Sequence, residues 1–361
     1  MNKKAFFAAF LPLILLFSSC SQIKAPELSE RLIAEAVGVD LINGEYVISV
    51  QALDTGAGGS GEGVDANEKT KIYTFHGITP GSAKGTDDGL IPLYSHARLL
   101  ILGREAAEKN TARLLDFFLR EYNVKSDILI VAAQEKASDV INADTGSAAT
   151  DAAVTERNLR AGSENGVNVL MPLYRFVNLM LTPGDAAYCP VVAVTDSPVS
   201  DKKNIVITGT ALFDNEKLLF ETDEELTRGI LLLTSEAGDM IFTPKGEKGI
   251  YTLKTVKSKT KIKPSEKNGR MVFGIKTELI CDITEYAQGA LDGLTLSDIE
   301  ETEKAVEKEI AQTENRTLET LFLKNGCDIC RFGRRTLLRC PGFYEKYKLS
   351  PITLTEYETE V

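Results

Sequence analysis

The sequence predicts an α+β protein with more than one domain. Residues 250–262 and 271–283 both alternate polar and apolar side chains, as strands do in an antiparallel sheet with one solvated face. Residues 297–324 carry an apolar stripe at helical spacing, typical of a helix that packs on such a sheet. Short apolar strands and amphipathic helices mix in the first half. We therefore expect a mixed α/β N-terminal region, followed by an antiparallel sheet with flanking helices.

Length and composition exclude several classes. The chain has 361 residues, of which 43% are hydrophobic, which suits two or three ordinary domains. The 52 acidic residues outnumber the 41 basic ones, so the net charge of −11 disfavours a nucleic-acid partner. Only two histidines are present, which leaves little room for His-based catalysis or a multi-His metal site.

The first residues have the pattern of a secretory signal peptide. Lys3 and Lys4 precede an apolar run over residues 5–17. That run is too short for the roughly 20 residues that a membrane-spanning helix needs. It is typical of the apolar region of a signal peptide. Residues 1–19 are therefore predicted to be removed on export.

A single cysteine directly follows this predicted signal peptide. The small residues Ser18 and Ser19 precede Cys20, a pattern that resembles the bacterial lipobox. In a lipobox the cysteine thiol takes a diacylglycerol, and the amino group exposed by cleavage can carry a further acyl chain such as palmitate. An ordinary signal peptide with a coincidental cysteine is the alternative. We expect a lipoprotein with Cys20 as the lipid acceptor and residues 20–27 as a short tether outside the cytoplasm.

The N-terminal region is predicted to cover residues 28–196, with a division into two subdomains near residues 143–168. Residues 28–39 are predicted as a helix running into a strand, and residues 144–167 as a loop or weak helix. The further predicted strands are residues 45–53, 71–76, 98–103, 127–133 and 190–195. The predicted helices are residues 111–122, 138–142 and 170–181.

The second region is predicted to cover residues 204–361, after a charged stretch with Pro198 that suits a domain boundary. A hairpin is predicted across Asp214 and Asn215. Thr222 with Glu225, and Ser297 with Glu300, have the spacing of capping boxes, so a helix is expected to begin at each pair.

Several segments occur in an order that resembles one family. Those in the second half are GTALFDNEKL at residues 209–218, TRGIL at 227–231, SKTKIKP at 258–264 and DICRFGR at 328–334. Those in the first half are YSHARLLILG at residues 94–103 and LDFFLR at 115–120. The combination resembles the Ger(x)C, or GerAC, family, the lipoprotein C subunits of nutrient germinant receptors in endospore-forming bacteria. The resemblance covers most of residues 28–350.

This resemblance implies a protein without a catalytic site or cofactor. It implies attachment to the extracytoplasmic face of the spore inner membrane by a lipid on Cys20. It also implies two integral-membrane partners, the A and B subunits, and a role in receptor assembly and the response to nutrients during germination. An extracytoplasmic solute-binding lipoprotein is the alternative, and it would have two similar α/β lobes around a cleft.

Three cysteines near the C-terminus could carry chemistry. Cys327 and Cys330 form a CxxC motif, and Cys340 follows ten residues later. A structural zinc site usually has four protein ligands, and no fourth is obvious here. Redox CxxC motifs usually begin a helix after a strand, whereas this one follows a predicted helix end. We expect packing or chemically neutral cysteines and no metal site.

Ser95 and His96, with Asp88, could suggest a hydrolase. Neighbouring residues on a strand point to opposite faces, so Ser95 and His96 cannot easily act as nucleophile and base. A core or hydrogen-bonding histidine is therefore expected at position 96.

Three other patterns are interpreted as solvated surface. The glycines of residues 56–63 lack the Gly-Lys-Ser/Thr ending of a phosphate-binding loop, which favours a flexible loop. An acidic helix face is expected at Glu300, Glu301, Glu303, Glu307, Glu309 and Glu314. A solvated sheet face is favoured over a membrane or partner surface for Lys254, Lys257, Lys259, Lys261 and Lys263.

Overall fold

Two β-sheets with flanking helices organise the protein in the computed structural model. The structure describes residues 31–53, 70–85, 91–121, 124–147, 149–214, 216–246, 249–287 and 295–361. Both sheets contain parallel and antiparallel neighbours. The predicted α+β class is confirmed, with a mixed first half and a mainly antiparallel second sheet.

The first sheet has ten strands. They are β1 (Arg31–Ile42), β2 (Glu45–Leu53), β3 (Thr70–Gly77), β4 (Lys84–Gly85), β5 (Ile91–Leu93), β6 (Leu99–Leu102), β7 (Leu129–Ala133), β8 (Ala187–Asp196), β9 (Lys203–Phe213) and β10 (Leu218–Thr222). Their order is β10-β9-β8-β7-β6-β1-β2-β3-β4, with β5 paired to β1. Strands β1, β6, β7 and β8 pair in parallel. Helices carry the chain back between β6 and β7 and between β7 and β8, whereas strands β2 to β5 connect β1 to β6.

Strand β1 lies where a helix running into a strand was expected, so the helical part of that prediction is wrong from residue 31 onward. Its side chains are buried on both faces of the sheet: Val37 joins one core cluster and Ala36 joins the other. A strand buried on both faces shows no polar–apolar alternation, which removes the usual sequence signal.

The helices that cover this sheet are α1 (Arg104–Arg120), α2 (Ala137–Ile141), α3 (Asp151–Glu164) and α4 (Leu173–Leu181). Helix α1 begins earlier than the expected residue 111 and kinks at Asn110, where φ is −168° and ψ is 90°. The side chain of Asn110 accepts a hydrogen bond from the Arg113 N–H at 2.7 Å and so caps the second part of the helix. The apolar stripe follows only that second part.

Helix α3 lies where a loop or weak helix was expected. Thr150 accepts a hydrogen bond from the Ala153 N–H at 3.2 Å and caps its first turn. Ala152 and Leu159 are buried against the sheet. Small residues give this helix only a weak apolar stripe, so its sequence pattern did not clearly predict a helix. Its packing on the sheet stabilises it instead.

The second sheet contains the long hairpin. Its strands are β11 (Ile241–Phe242), β12 (Lys245–Gly246), β13 (Gly249–Lys267), β14 (Arg270–Ala287) and β15 (Thr355–Glu360). Strands β13 and β14 run further than expected, because the turn between them is only Asn268 and Gly269, both with positive φ. That pair suits the tightest hairpin turn. Strand β15 pairs in parallel with β14, an addition that the sequence did not suggest.

The helices of the second half are α5 (Glu224–Leu233), α6 (Leu296–Leu318) with a π-helical continuation at Glu319–Lys324, α7 (Phe332–Arg339) and α8 (Pro341–Tyr347). Both predicted capping boxes are displaced. Asp223 rather than Thr222 caps α5, accepting from the Leu226 N–H at 2.9 Å. Thr295 and Asp298, rather than Ser297 and Glu300, form the capping box of α6.

The hydrophobic core continues from the first sheet to the second. One cluster of buried residues includes Phe118 and Phe176 under the first sheet, and Phe273 and Tyr347 under the second. A smaller cluster lies on the other face of the first sheet and includes Val131. Residues 32–361 thus form one compact unit around this core.

The boundary expected at residues 196–204 falls at the turn between β8 and β9. These two strands pair antiparallel, with Ala187 opposite Phe213 and Asp196 opposite Lys203. The first sheet therefore runs across the expected boundary. The division into regions 28–196 and 204–361 stays a prediction, as does the split near residues 143–168.

Candidate functional site

Cys20, the predicted lipid acceptor, lies outside the described residues, together with the predicted signal peptide and tether. None of the helices in the described ranges is long and apolar enough to cross a bilayer. The Gly-rich stretch at residues 56–63 and Asp88 also lie outside the described residues.

The lysine stripe, which consists of Lys254, Lys257, Lys259, Lys261 and Lys263, lies on the outer face of the second sheet. Before Val256 the outward residues of β13 are even-numbered, and after it they are odd-numbered. The register with β14 shifts between Thr255 and Lys257, which marks a β-bulge at this point. The bulge places Lys254 on the same face as Lys257 and the lysines that follow.

Acidic residues share this face. Strand β15 points Glu356, Glu358 and Glu360 outward beside β14. Lys276 Nζ lies 2.8 Å from Glu360, and Lys261 Nζ lies 3.2 Å from Glu278. Charges of both signs therefore alternate across the sheet, which favours a solvated face over a uniformly basic membrane surface.

Glu314 departs from the solvated face predicted for its helix. Its side chain is fully buried on α6, and Oε1 accepts a hydrogen bond from the Thr277 hydroxyl at 2.6 Å. Oε2 is buried without a hydrogen-bond partner among the described residues. Burial raises the pKa of Glu314 to about 7. The prediction of a solvated face is thus wrong for Glu314, because this turn of α6 lies directly over β14.

A second buried acidic group joins the two halves of the chain. Asp185 precedes β8 and is almost completely buried, with Arg331 Nε 3.7 Å from its Oδ2. The Ala186 N–H donates to the carbonyl oxygen of Asp328 at 3.2 Å. Burial raises the pKa of Asp185, against the effect of three nearby arginines.

Asp328 explains the structure of the CxxC segment. Its carboxylate accepts hydrogen bonds from the N–H groups of Phe332 and Gly333, both at 2.9 Å, and so caps the start of α7. Burial raises its pKa to about 7. The CxxC segment therefore leads into helix α7, and its buried Asp328 stabilises the start of that helix. Local spacing did not reveal this role, because the residue directly before the helix is Arg331, whose side chain makes no capping hydrogen bond.

The cysteines beside Asp328 are buried thiols. Cys327 and Cys330 are almost inaccessible and Cys340 is half-buried; all three are free. Burial raises the pKa of Cys327 to about 12 and that of Cys330 well above its ordinary value. Cys327 and Cys330 are therefore protonated thiols at neutral pH and are poor nucleophiles. The described residues contain no cluster of three or more His, Cys, Asp or Glu side chains arranged to hold a metal ion.

His96 lies in a short 3-10 turn, Tyr94–His96, just before β6. Its side chain is exposed, whereas Tyr94 beside it is buried. Of the expected core or hydrogen-bonding histidine, the core position is wrong. In this turn Tyr94 and His96 do not share a face, as residues two apart on a strand would.

Family comparisons match most of the chain. Residues 24–194 match the spore germination protein N-terminal domain, and residues 208–348 match the spore germination B3/GerAC-like C-terminal domain. The chain belongs to the GerAC family. The resemblance that the sequence motifs indicated is confirmed.

Individual relatives agree with this assignment. The chain is 22% identical over 290 residues to a putative spore germination protein, YfkR, of Bacillus subtilis (strain 168), covering 76% of this chain and 73% of the relative. It is 22% identical over 362 residues to spore germination protein B3 of the same organism, covering 96% and 92%. The crystal structure of the GerBC protein matches with a TM-score of 0.57 and 17% identity, over 90% of this chain and 95% of that one, so the fold is shared.

The two GerAC domains share a sheet. The N-terminal domain match ends at residue 194, within β8, and the C-terminal match begins at residue 208, within β9. Strands β9 and β10, which lie mainly in the second matched region, therefore extend the sheet formed by the first matched region. In this GerAC protein the buried contact of Asp185 with Arg331 joins the same two domains.

Proposed function

We propose that this GerAC protein is the lipid-anchored C subunit of a spore nutrient germinant receptor, required for receptor assembly and for the response to nutrients. The observation that supports the proposal most directly is the match of both germination-protein domains along one chain. The protein acts as a binding subunit rather than as an enzyme.

The anchor is the acylated thiol of Cys20 on the extracytoplasmic face of the spore inner membrane. The short apolar signal and the small residues before Cys20 support this proposal. Each buried CH₂ group of an acyl chain contributes about 0.8 kcal/mol, so two or three chains hold the protein stably.

The partners are the integral-membrane A and B subunits. Tethering raises the effective concentration of the two GerAC domains beside these subunits, so that a weak contact suffices for assembly. The regions 28–196 and 204–361 act together in this role, since they share a sheet and a core.

A solute-binding lipoprotein is less well supported. That function calls for two similar lobes around a cleft, whereas the two matched regions here build one ten-stranded sheet together. Direct binding of a nutrient to the purified protein would favour the alternative.

The decisive experiment deletes the gene and exposes spores to single nutrients. Loss of germination in at least one nutrient, restored by the wild-type gene, is expected. Affinity purification from spore membranes should recover two integral-membrane subunits with the protein. Normal germination in every nutrient, together with no such subunits in the purified fraction, would contradict the proposal.

A further inference from the structure

Strand β14 has an edge that its neighbours cover only in part. Strand β13 pairs with it along nearly its whole length, from Ile250 opposite Ala287 to Lys267 opposite Arg270. On the other edge, β15 pairs only with Met271–Lys276. Past Lys276, no strand of the described ranges pairs with this edge. Such an edge can accept a strand from another chain.

Backbone directions show which groups face this edge. The Met271 N–H donates to the Leu354 carbonyl at 2.8 Å, on the β15 side. Peptide groups alternate sides along a strand, so those of Thr277 and Leu279 also point to that side. Thr260, opposite Thr277 on β13, agrees, because its N–H donates to the Ser235 hydroxyl at 2.8 Å on the far side of β13.

A partly apolar cleft follows the same edge. It has a volume of about 440 Å³ and lies between β14 and α6. The strand contributes Leu279, Cys281 and Ile283, and the helix contributes Ile299, Val306 and Ile310. Ile283 remains 37% exposed there. Every second side chain of a strand added to β14 would enter this cleft.

The charge around the edge changes sign at Lys276. Up to this residue β14 presents bases that pair with β15: Arg270 with Glu356 at 2.5 Å and Lys276 with Glu360. Beyond it the outward residues of β14 include Glu278 and Asp282, although Glu278 also contacts Lys261. On the helix side, the lining of the cleft includes Glu303 and Glu307. A strand continuing along this edge should therefore carry basic residues, since opposite charges stabilise cross-strand pairs.

We propose that this edge and cleft bind an extended segment of a partner protein, in which apolar residues alternate with lysine or arginine. The segment adds to β14 as a further strand beyond β15. Its backbone bonds to the Thr277 carbonyl and to both backbone groups of Leu279, because the parallel pairing with β15 already engages the Thr277 N–H. Its apolar side chains enter the cleft, and its basic side chains meet Glu278 and Asp282 on the outer face. The inference depends on this edge and cleft and not on the proposed germinant-receptor role.

The test uses the purified full chain in detergent and a fluorescent eight-residue peptide of alternating valine and lysine. Anisotropy should show saturable binding. A matched valine–glutamate peptide should bind at least about tenfold more weakly. No saturable binding of the valine–lysine peptide, or equal binding of the two peptides, overturns the proposal.

Two N-methylated peptides separate strand addition from simple charge attraction. One carries methyl groups on the valine nitrogens and the other on the lysine nitrogens, so each removes the donors on one side of the strand. One of them should bind at least about tenfold more weakly and the other nearly as well as the parent, because only one side faces β14. Equal behaviour of the two overturns the proposal.

Charge reversal on β14 gives a second readout. The double variant Glu278→Lys, Asp282→Lys should weaken the valine–lysine peptide about tenfold and strengthen the valine–glutamate peptide, because both residues lie on the outer face to which the peptide lysines point. The double variant Asp127→Lys, Glu135→Lys is the control, because it makes the same change of charge at exposed residues on either side of β7 in the first sheet. An equal effect of the control would assign the binding to net charge and overturn the assignment to this edge.

Discussion

The carboxylate of Asp40 occupies the space that a β-carbon on Gly103 would need. Asp40 lies on β1, and its two oxygens accept hydrogen bonds from the N–H groups of Ala137 at 2.7 Å and Ser138 at 2.9 Å. It thus caps α2 from a distant strand. Gly103 leads from β6 into α1, so one buried contact sets the positions of two strands and two helices.

Gly103→Ala should therefore destabilise the fold by about 1–3 kcal/mol, because the new methyl group displaces Asp40 from its cap. Gly342→Ala is the matched control. It lies in α8 with open space around it, and alanine favours a helix by up to about 1 kcal/mol over glycine. Urea denaturation of both variants measures the difference. Equal stabilities would contradict the packing described here.

Glu314 should make stability fall as the pH rises. Burial raises its pKa from the ordinary 4.5 to about 7, so folding favours the protonated carboxyl. The stabilising contribution is complete below about pH 4.5 and is lost as the pH rises through about 7, with a total on the order of 3 kcal/mol.

The variant Glu314→Gln tests this contribution, since it keeps an acceptor for Thr277 and removes the titration. The free energy of unfolding, measured from pH 5 to 8, should fall less steeply in the variant than in the wild type. Asp328 also has a raised pKa and titrates in both proteins, so the difference between the two curves belongs to Glu314. Parallel curves would show that position 314 does not titrate in this range.

Asp185 and Arg331 should be energetically coupled across the two GerAC domains. Arg331→Gln leaves the buried Asp185 carboxyl without its nearest cation and should cost about 1–2 kcal/mol, since Arg331 itself is partly exposed. Adding Asp185→Asn should recover part of that loss, because the buried charge is then gone. A double-mutant cycle by denaturation measures the coupling, and strictly additive changes would exclude it.

Cys20→Ala should abolish labelling by a fatty-acid analogue and move the protein from the membrane fraction to the soluble one. Cys340→Ala is the control and should keep both properties, since Cys340 is a half-buried thiol near the other end of the chain. A wild-type protein as unlabelled as the variant would end the proposal of a lipid anchor.

Local patterns predicted much of the fold. The long hairpin was recognisable because its strands have one wet face, and the α6 stripe because the helix packs on one side only. Strand β1 was predicted only in part, after a helix that is absent from residue 31 onward, because it is buried on both faces. Helix α3 was predicted only as a loop or weak helix, because its residues are small. The caps were displaced by a residue or two because several neighbouring side chains were able to accept the same hydrogen bond.

The sequence alone determined the α+β class, the family and the prediction of Cys20 as the lipid acceptor, because these depend on patterns among residues close together in the chain. Only the tertiary structure decided that Glu314 is buried, that Asp185 meets Arg331, and that β15 covers just part of β14. The residues in these three contacts are between 37 and 146 positions apart in the chain, and burial and charge at such contacts arise only when the strands and helices have packed.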